Sequence, residues 1–220
     1  DVYTNVCGVS GTVTYRVVPI TGVCSGDAFD ITVTIDPEPV TDASLSTALA
    51  CSDDVIGVTL ATGGTSVAAA SWTVAILSQD ANVTTVTQTT GAGLAAGDIA
   101  NDVYTNVSAT PGTVVYRVTP LSGAGCSGDA FDITVTIDPE PVTDPALAGP
   151  LGPICSDDVI GVTLATAGTS VAADSWTVSI VSQDVNVTTV TQTTGAGLAA
   201  GAIASDVYTN VSGGSGTVTY

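Results

Sequence analysis

The chain has 220 residues, enough for about two ordinary domains, and 45% of them are hydrophobic, so each domain can bury a core. It carries 21 acidic residues against two cations, Arg16 and Arg117, for a formal charge of −19, with no His, no Lys and no Met. That balance repels phosphate backbones and anionic membrane surfaces. The missing residue types remove the usual general base, the Ser-His-Asp triad, the commonest zinc ligand, Schiff-base lysines and Lys-Asn crosslinks.

Val and Thr dominate, which suits pleated, half-buried surfaces, and no segment has sustained helical periodicity. No apolar run approaches the roughly 20 residues that span a bilayer. The first 39 residues read as the closing part of a repeat: Gly11-Thr-Val-Thr-Tyr-Arg-Val-Val-Pro19, then Cys24 to Pro39. Asp36-Pro-Glu-Pro39 is a stiff extended linker, because each proline fixes its own φ and restrains its predecessor.

A complete repeat follows over 40–141, ending in the matching linker Asp138-Pro-Glu-Pro141. The expected strands are 40–46, 54–61, 71–78, 83–90, 99–107, 113–119 and 130–138, with 91–97 as a loop. Trp72, Val74 and Ile76 share one face of the third strand. Val114, Tyr116 and Val118 share a face of the sixth, and Phe131, Ile133, Val135 and Ile137 point inward from the last. Apolar-in, polar-out alternation marks an antiparallel sheet with one wet face, and seven such strands predict an immunoglobulin-like β-sandwich.

Residues 142–220 begin the next repeat, which lacks its last hairpin. Cys51-Ser-Asp-Asp-Val-Ile-Gly-Val-Thr-Leu60 returns unchanged at 155–164, and residues 1–15 duplicate the pattern of 206–220. Near-identical tandem copies point to modules that all do the same job. The fold class is therefore all-β, as tandem sandwiches over 1–39, 40–141 and 142–220.

The motifs Ile154-Cys-Ser, Ser175-Trp-Thr-Val, Gly112-Thr-Val-Val-Tyr-Arg-Val-Thr-Pro120, Gly125-Cys-Ser-Gly and Ile133-Thr-Val-Thr-Ile-Asp-Pro139 resemble, in kind and order, the PKD-like repeats of very large secreted bacterial surface proteins. The resemblance implies an Ig-like sandwich outside the cell, in an adhesin, a surface filament or a spacer stalk. The absence of Lys and the extra Cys7 depart from the pattern.

Five cysteines without His favour disulfides over metal. Pairing Cys51 with Cys126 gives one bridge per domain. The alternative joins Cys24 to Cys51 and Cys126 to Cys155, and Cys7 is odd. Asp36, Glu38, Asp42, Asp138, Glu140 and Asp144 near the linkers are the candidate Ca²⁺ ligands, with Asp53-Asp54 and Asp157-Asp158 behind them; their spacing matches no EF-hand loop, and exposed linker charge is the commoner reading of such residues. Asn82, Asn106, Asn186 and Asn210 sit in Asn-x-Ser/Thr sequons. Trp72, Trp176 and Phe131 are the expected core anchors.

No acid, base or nucleophile constellation is present, so no enzyme and no cofactor are expected. The expected function is structural or adhesive: a rod or extracellular filament of chained domains. Its partners are copies of the chain, and neighbouring copies could share strands head to tail. The alternative is a carbohydrate-binding array or spacer stalk, which would stack surface glycans on exposed Trp72 or tyrosines.

Overall fold

The computed structural model describes residues 1–5, 7–168 and 170–220. They form an all-β protein with two compact units. The first unit comprises residues 1–107 and 111–138, and the second comprises 108–110 and 139–220.

In unit 1 the first 39 residues form a hairpin. β1 (Gly11–Val17) pairs antiparallel with β4 (Phe29–Ile35), and the short β2 (Ile20–Thr21) and β3 (Cys24–Ser25) close its tip. The complete repeat contributes β5 (Thr47–Cys51), β6 (Ala69–Gln79), β7 (Val83–Thr87), β8 (Gly91–Leu94), β9 (Val103–Asn106), β10 (Gly112–Ser122) and β11 (Phe131–Asp138). Five of these make one sheet in the order β5-β11-β10-β6-β8, antiparallel except that β5 runs parallel to β11. The β7–β9 pair makes the other layer.

The alternation read from the sequence is what fills the sandwich. Val114, Tyr116, Val118, Ile133, Val135 and Ile137 are fully buried, and they pack with Trp72 and Val74 against Ile56, Val58, Leu60, Val83, Ile99 and Tyr104. Burying that much aliphatic and aromatic surface is the main driving force for the fold.

Four expected elements change. The segment 40–46 is not a strand: Thr41 makes an isolated bridge to Thr62, and Ala43–Ser46 is a 3₁₀ turn. Asp42 accepts a hydrogen bond from the Ser44 backbone N–H, a local cap that competes with extension. The segment 54–61 keeps its alternation, with Ile56, Val58 and Leu60 buried, yet its hydrogen bonds run irregularly to Asp102, Ala100 and Ala96. The expected loop at 91–97 contains β8, whose glycines sit at positive φ opposite a bulge in β6. The expected strand at 99–107 opens with a 3₁₀ turn, Asp98–Asn101, so its ladder is shorter.

Unit 2 repeats the plan in fewer strands. β12 (Trp176–Val178) pairs with β15 (Gly195–Leu198), β13 (Ser182–Gln183) with β17 (Val218–Thr219), and β14 (Val187–Thr191) with β16 (Val207–Asn210). The sequence holds no counterpart of β11 here. Ile160, Val162, Leu164 and Trp176 are consequently half-buried, where their twins Ile56, Val58, Leu60 and Trp72 are buried.

Candidate functional site

The parts of the repeat that do more than fill the core lie at its two ends. At the distal end, where the chain leaves, β5 finishes with Cys51 in register with Asp138, the last residue of β11. The chain then turns through Asp53 at φ 65°, a left-handed conformation that Asp tolerates better than most residues. The Asp53 carboxylate accepts a short hydrogen bond from the Thr105 hydroxyl. Ser52 N–H donates to the Asp138 carbonyl at 2.8 Å, and Ser52 Oγ accepts from Asn106 N–H at 2.9 Å. Asn106 Nδ2 donates to the Ile137 carbonyl at 2.8 Å. Serine and asparagine thus clamp the end of β11 to the opposite layer. Asn5 makes the matching bond to the Ile35 carbonyl at 2.8 Å, and Asp157 takes the same left-handed turn in unit 2 at φ 67°.

At the proximal end the β10–β11 hairpin carries Cys126. Cys126 N–H donates to Ser122 Oγ at 3.1 Å, and Ser122 N–H donates to the Cys126 carbonyl at 2.9 Å. Gly128 lies against the linker: a Cβ there would stand 1.8 Å from the Pro39 carbonyl oxygen. Pro37 and Pro39 are both buried. The linker, the hairpin tip and the loop after residue 7 enclose an open cleft of about 430 Å³, lined by Gly8, Val9, Ser10, Asp36, Pro37, Val67, Ser122, Gly123 and Ala124. Ser10 donates to Asp36 across it at 2.6 Å.

Between the ends lies a buried polar cluster. Tyr116 donates to Asp102 at 2.8 Å and shares a 2.6 Å bond with Tyr104, which also accepts from Gln88 at 3.1 Å. Burial, followed by these bonds to Tyr104 and Asp102, pushes the Tyr116 phenol far above its ordinary range. Burial raises Tyr104 as well. The same triad recurs as Tyr15, Tyr3 and Asp1, and as Tyr220, Tyr208 and Asp206, each with edge-on rings 6.4 Å apart. These residues were not among the sequence candidates. The signal was available, since Asp-Val-Tyr-Thr-Asn stands at 1–5, 102–106 and 206–210, each time ahead of Gly-Thr-Val-x-Tyr.

Both cations are spent on one kind of contact. Arg117 grips Asp132 with two 2.8 Å bonds, and Arg16 grips Asp30 at 2.9 and 3.0 Å. In each pair the guanidinium holds the carboxyl below the usual carboxylate range. The partners face each other in the ladder, Arg117 to Asp132 and Arg16 to Asp30.

The pairing of Cys51 with Cys126 does not survive the topology. All five cysteines are unpaired. Cys51 sits beside the end of β11, and Cys126 precedes its start. The eight residues of that strand hold them on the order of 25 Å apart, whereas a disulfide needs Cα atoms within about 7 Å. The alternative pairings, Cys24 to Cys51 and Cys126 to Cys155, are not made either.

The candidate Ca²⁺ ligands Asp36, Glu38, Asp42, Asp138, Glu140 and Asp144 do not converge, and among the described residues no group of three or more His, Cys, Asp or Glu could hold a metal ion. Asp42 and Asp144 instead cap 3₁₀ turns, and the cap holds Asp42 below its usual range. Asp53 and Asp157 serve their turns. The sequon asparagines pair with each other, Asn82 to Asn106 and Asn186 to Asn210, both at 3.2 Å. Trp72 is 2% exposed in the core, Phe131 is partly buried against it, and Trp176 is half-buried. No helix among the described residues is long and apolar enough to cross a membrane.

No curated protein and no solved structure matches the chain. The sequence profile of the PKD-like domain matches residues 1–39 and 48–141, more than half of the chain. These are the stretches that make the β1–β4 hairpin and nearly all of the complete sandwich, with the paired Arg and Asp of each. Domains of this kind are typically non-catalytic and occur in extracellular proteins. The chain belongs to the PKD-like domain family.

Proposed function

We propose that the chain is a structural, adhesive part of an extracellular protein, in which sandwich repeats joined end to end form a rod or filament. One observation carries this reading. The chain comes into the complete repeat at Pro39, against the hairpin that precedes β11, and leaves it at Asp138, the other end of β11. Each repeat therefore adds its own length along the chain. Its first and last strands, β5 and β11, lie side by side in parallel. Tension applied through residues 40 and 138 loads all their hydrogen bonds together in shear, instead of opening them one at a time. Single-molecule pulling tests the reading. Attachment at those two residues is expected to require a several-fold higher rupture force than attachment across the β10–β11 hairpin, and equal forces in both geometries would refute it.

A finer reading, polymerisation by strand sharing, has its own support. Phe29, Ile31 and Val33 on β4 are 53, 44 and 39% exposed, although Ile133 and Val135, the twins of the latter two, are fully buried. In the second unit Ile160, Val162 and Leu164 are half-buried. The hairpin of one copy fits the second unit of another, with β4 taking the place that β11 holds in the complete repeat. Concentration-dependent association in sedimentation, abolished by Val33→Asp with unchanged circular dichroism, is the expected result. A wild-type chain that stays monomeric over the same range would refute strand sharing.

The complete repeat does not favour the carbohydrate-binding alternative. Trp72, Tyr104 and Tyr116 lie inside the sandwich, where they offer no stacking platform for a sugar.

A further inference from the structure

The repeats carry cysteines at two positions, and the two positions belong to opposite ends. The distal cysteine, Cys51 and its twin Cys155, follows the first strand segment of its repeat. The proximal cysteine, Cys24 and its twin Cys126, sits in the hairpin before the last strand. Neither can meet the other within one repeat. Unit 1 shows both sides of a junction. Cys51 is in ladder register with Asp138, and Asp36 holds the equivalent place in the first hairpin, where Asn5 bonds the Ile35 carbonyl as Asn106 bonds that of Ile137. The same Asp36 lines the cleft with Ser122, Gly123 and Ala124, the hairpin tip that carries Cys126. Pro39, three residues on, touches Gly128. A distal cysteine on the repeat before this junction would flank Asp36, and so stand beside the cleft lined by the tip of the hairpin that carries the proximal cysteine.

We propose that the distal cysteine of one repeat forms a disulfide with the proximal cysteine of the repeat that abuts its distal end, in a continuous chain or in a second copy. The proposal rests on the end-to-end reading above. Cys51 is exposed and Cys126 half-buried. The electrons pass to an extracytoplasmic thiol oxidant, an oxidised dithiol oxidoreductase. One cysteine thiolate attacks the oxidant's disulfide and expels one of its sulfurs as a thiolate. The other cysteine thiolate then displaces the second sulfur. The oxidant gains two electrons as its disulfide becomes a dithiol, and the two protons given up by the cysteines are balanced by those that the dithiol takes up.

The test is peptide mapping of the full chain after oxidation by such an oxidoreductase, without reduction. Cleavage before Asp and after Arg places Cys51 on residues 42–52, Cys155 on 144–156, Cys24 on 17–26, Cys126 on 118–128 and Cys7 on 1–16. The expected cross-links join a distal peptide, 42–52 or 144–156, to a proximal one, 17–26 or 118–128. A mixture of isotope-labelled and unlabelled chain is expected to show them joining two copies, since residues 142–220 hold no proximal cysteine, and the same links confined within one copy would overturn the proposal. Cys51→Ser is expected to remove every 42–52 cross-link with unchanged circular dichroism, and Cys7→Ser to change none of the distal-to-proximal links. Distal-to-distal links, proximal-to-proximal links or uniformly free thiols would overturn the proposal. A rod that passes the pulling test but lacks these peptides would overturn the cross-link alone and leave the proposed function standing.

Discussion

Asp102 is 1% exposed, and its carboxylate depends on the Tyr116 hydroxyl for a hydrogen bond. Removing a partner from a buried acceptor costs more than the bond itself contributes, so Tyr116→Phe is expected to destabilise the unit by about 1–3 kcal/mol in urea unfolding. The triad also makes stability depend on alkaline pH. Tyrosine in the unfolded chain gives up its proton near its ordinary value of 10.0, while Tyr104 and Tyr116 in the fold keep theirs to higher pH. Below that value both states hold the proton and these groups leave stability unchanged. Above it the unfolded chain binds fewer protons than the folded one, and stability falls by about 1.4 kcal/mol per pH unit for each tyrosine. Urea midpoints measured from pH 9 upward are expected to decline from about pH 10, with a shallower slope in Tyr116→Phe. Asp53 gives a third prediction at this scale. Its φ of 65° suits glycine, so Asp53→Gly sacrifices only the Thr105 and Ser52 contacts, while Asp53→Val adds backbone strain of about 1–2 kcal/mol, read as a lower melting temperature.

The linker between hairpin and sandwich is an element in its own right. Pro37 and Pro39 are buried, and Gly128 permits the approach of the Pro39 backbone. The obstacle to a larger residue at 128 is main chain, which cannot rotate aside. Gly128→Ala is expected to displace the linker and cost about 1–3 kcal/mol, seen as faster proteolysis between residues 36 and 42 while the core signals stay unchanged. Faster proteolysis is the informative readout, because the hydrogen bonds of β10 and β11 do not involve the linker. At this same scale the sequence was legible in part. The strands that carry Trp72, Tyr116 and Ile133 were visible from strict alternation. β8 was hidden, since Gly91 and Gly93 look like a loop until β6 supplies the ladder that holds them. The 3₁₀ turn at Ala43–Ser46 was hidden for a related reason: a single capping bond from Asp42 outweighs the β propensity of the residues around it.

For the whole molecule, the parallel contact of β5 with β11 ties the first strand of the complete repeat to its last. That contact joins residues far apart in the chain and sets the pulling prediction. Charge acts at this scale too. With Arg16 and Arg117 committed to Asp30 and Asp132, the remaining carboxylates face no side-chain cation, so added salt is expected to stabilise the fold by screening their repulsion. A melting temperature that rises with sodium chloride would show this, and one that falls would instead assign the dominant role to the two ion pairs.

Composition, alternation and repetition were sufficient for the all-β class and for the residues of the complete repeat that fill its core, because those depend on which side chains prefer to leave water. The location of the cysteines depended on tertiary structure alone. In sequence Cys51 and Cys126 look like partners within one domain. The parallel placement of β5 beside β11 sends them to opposite ends of a strand, and no local property of either residue carries that information. The same holds for Asp102, Tyr104 and Tyr116, whose motif is plain in the sequence but whose meeting in the core depends on how β9 folds over β10.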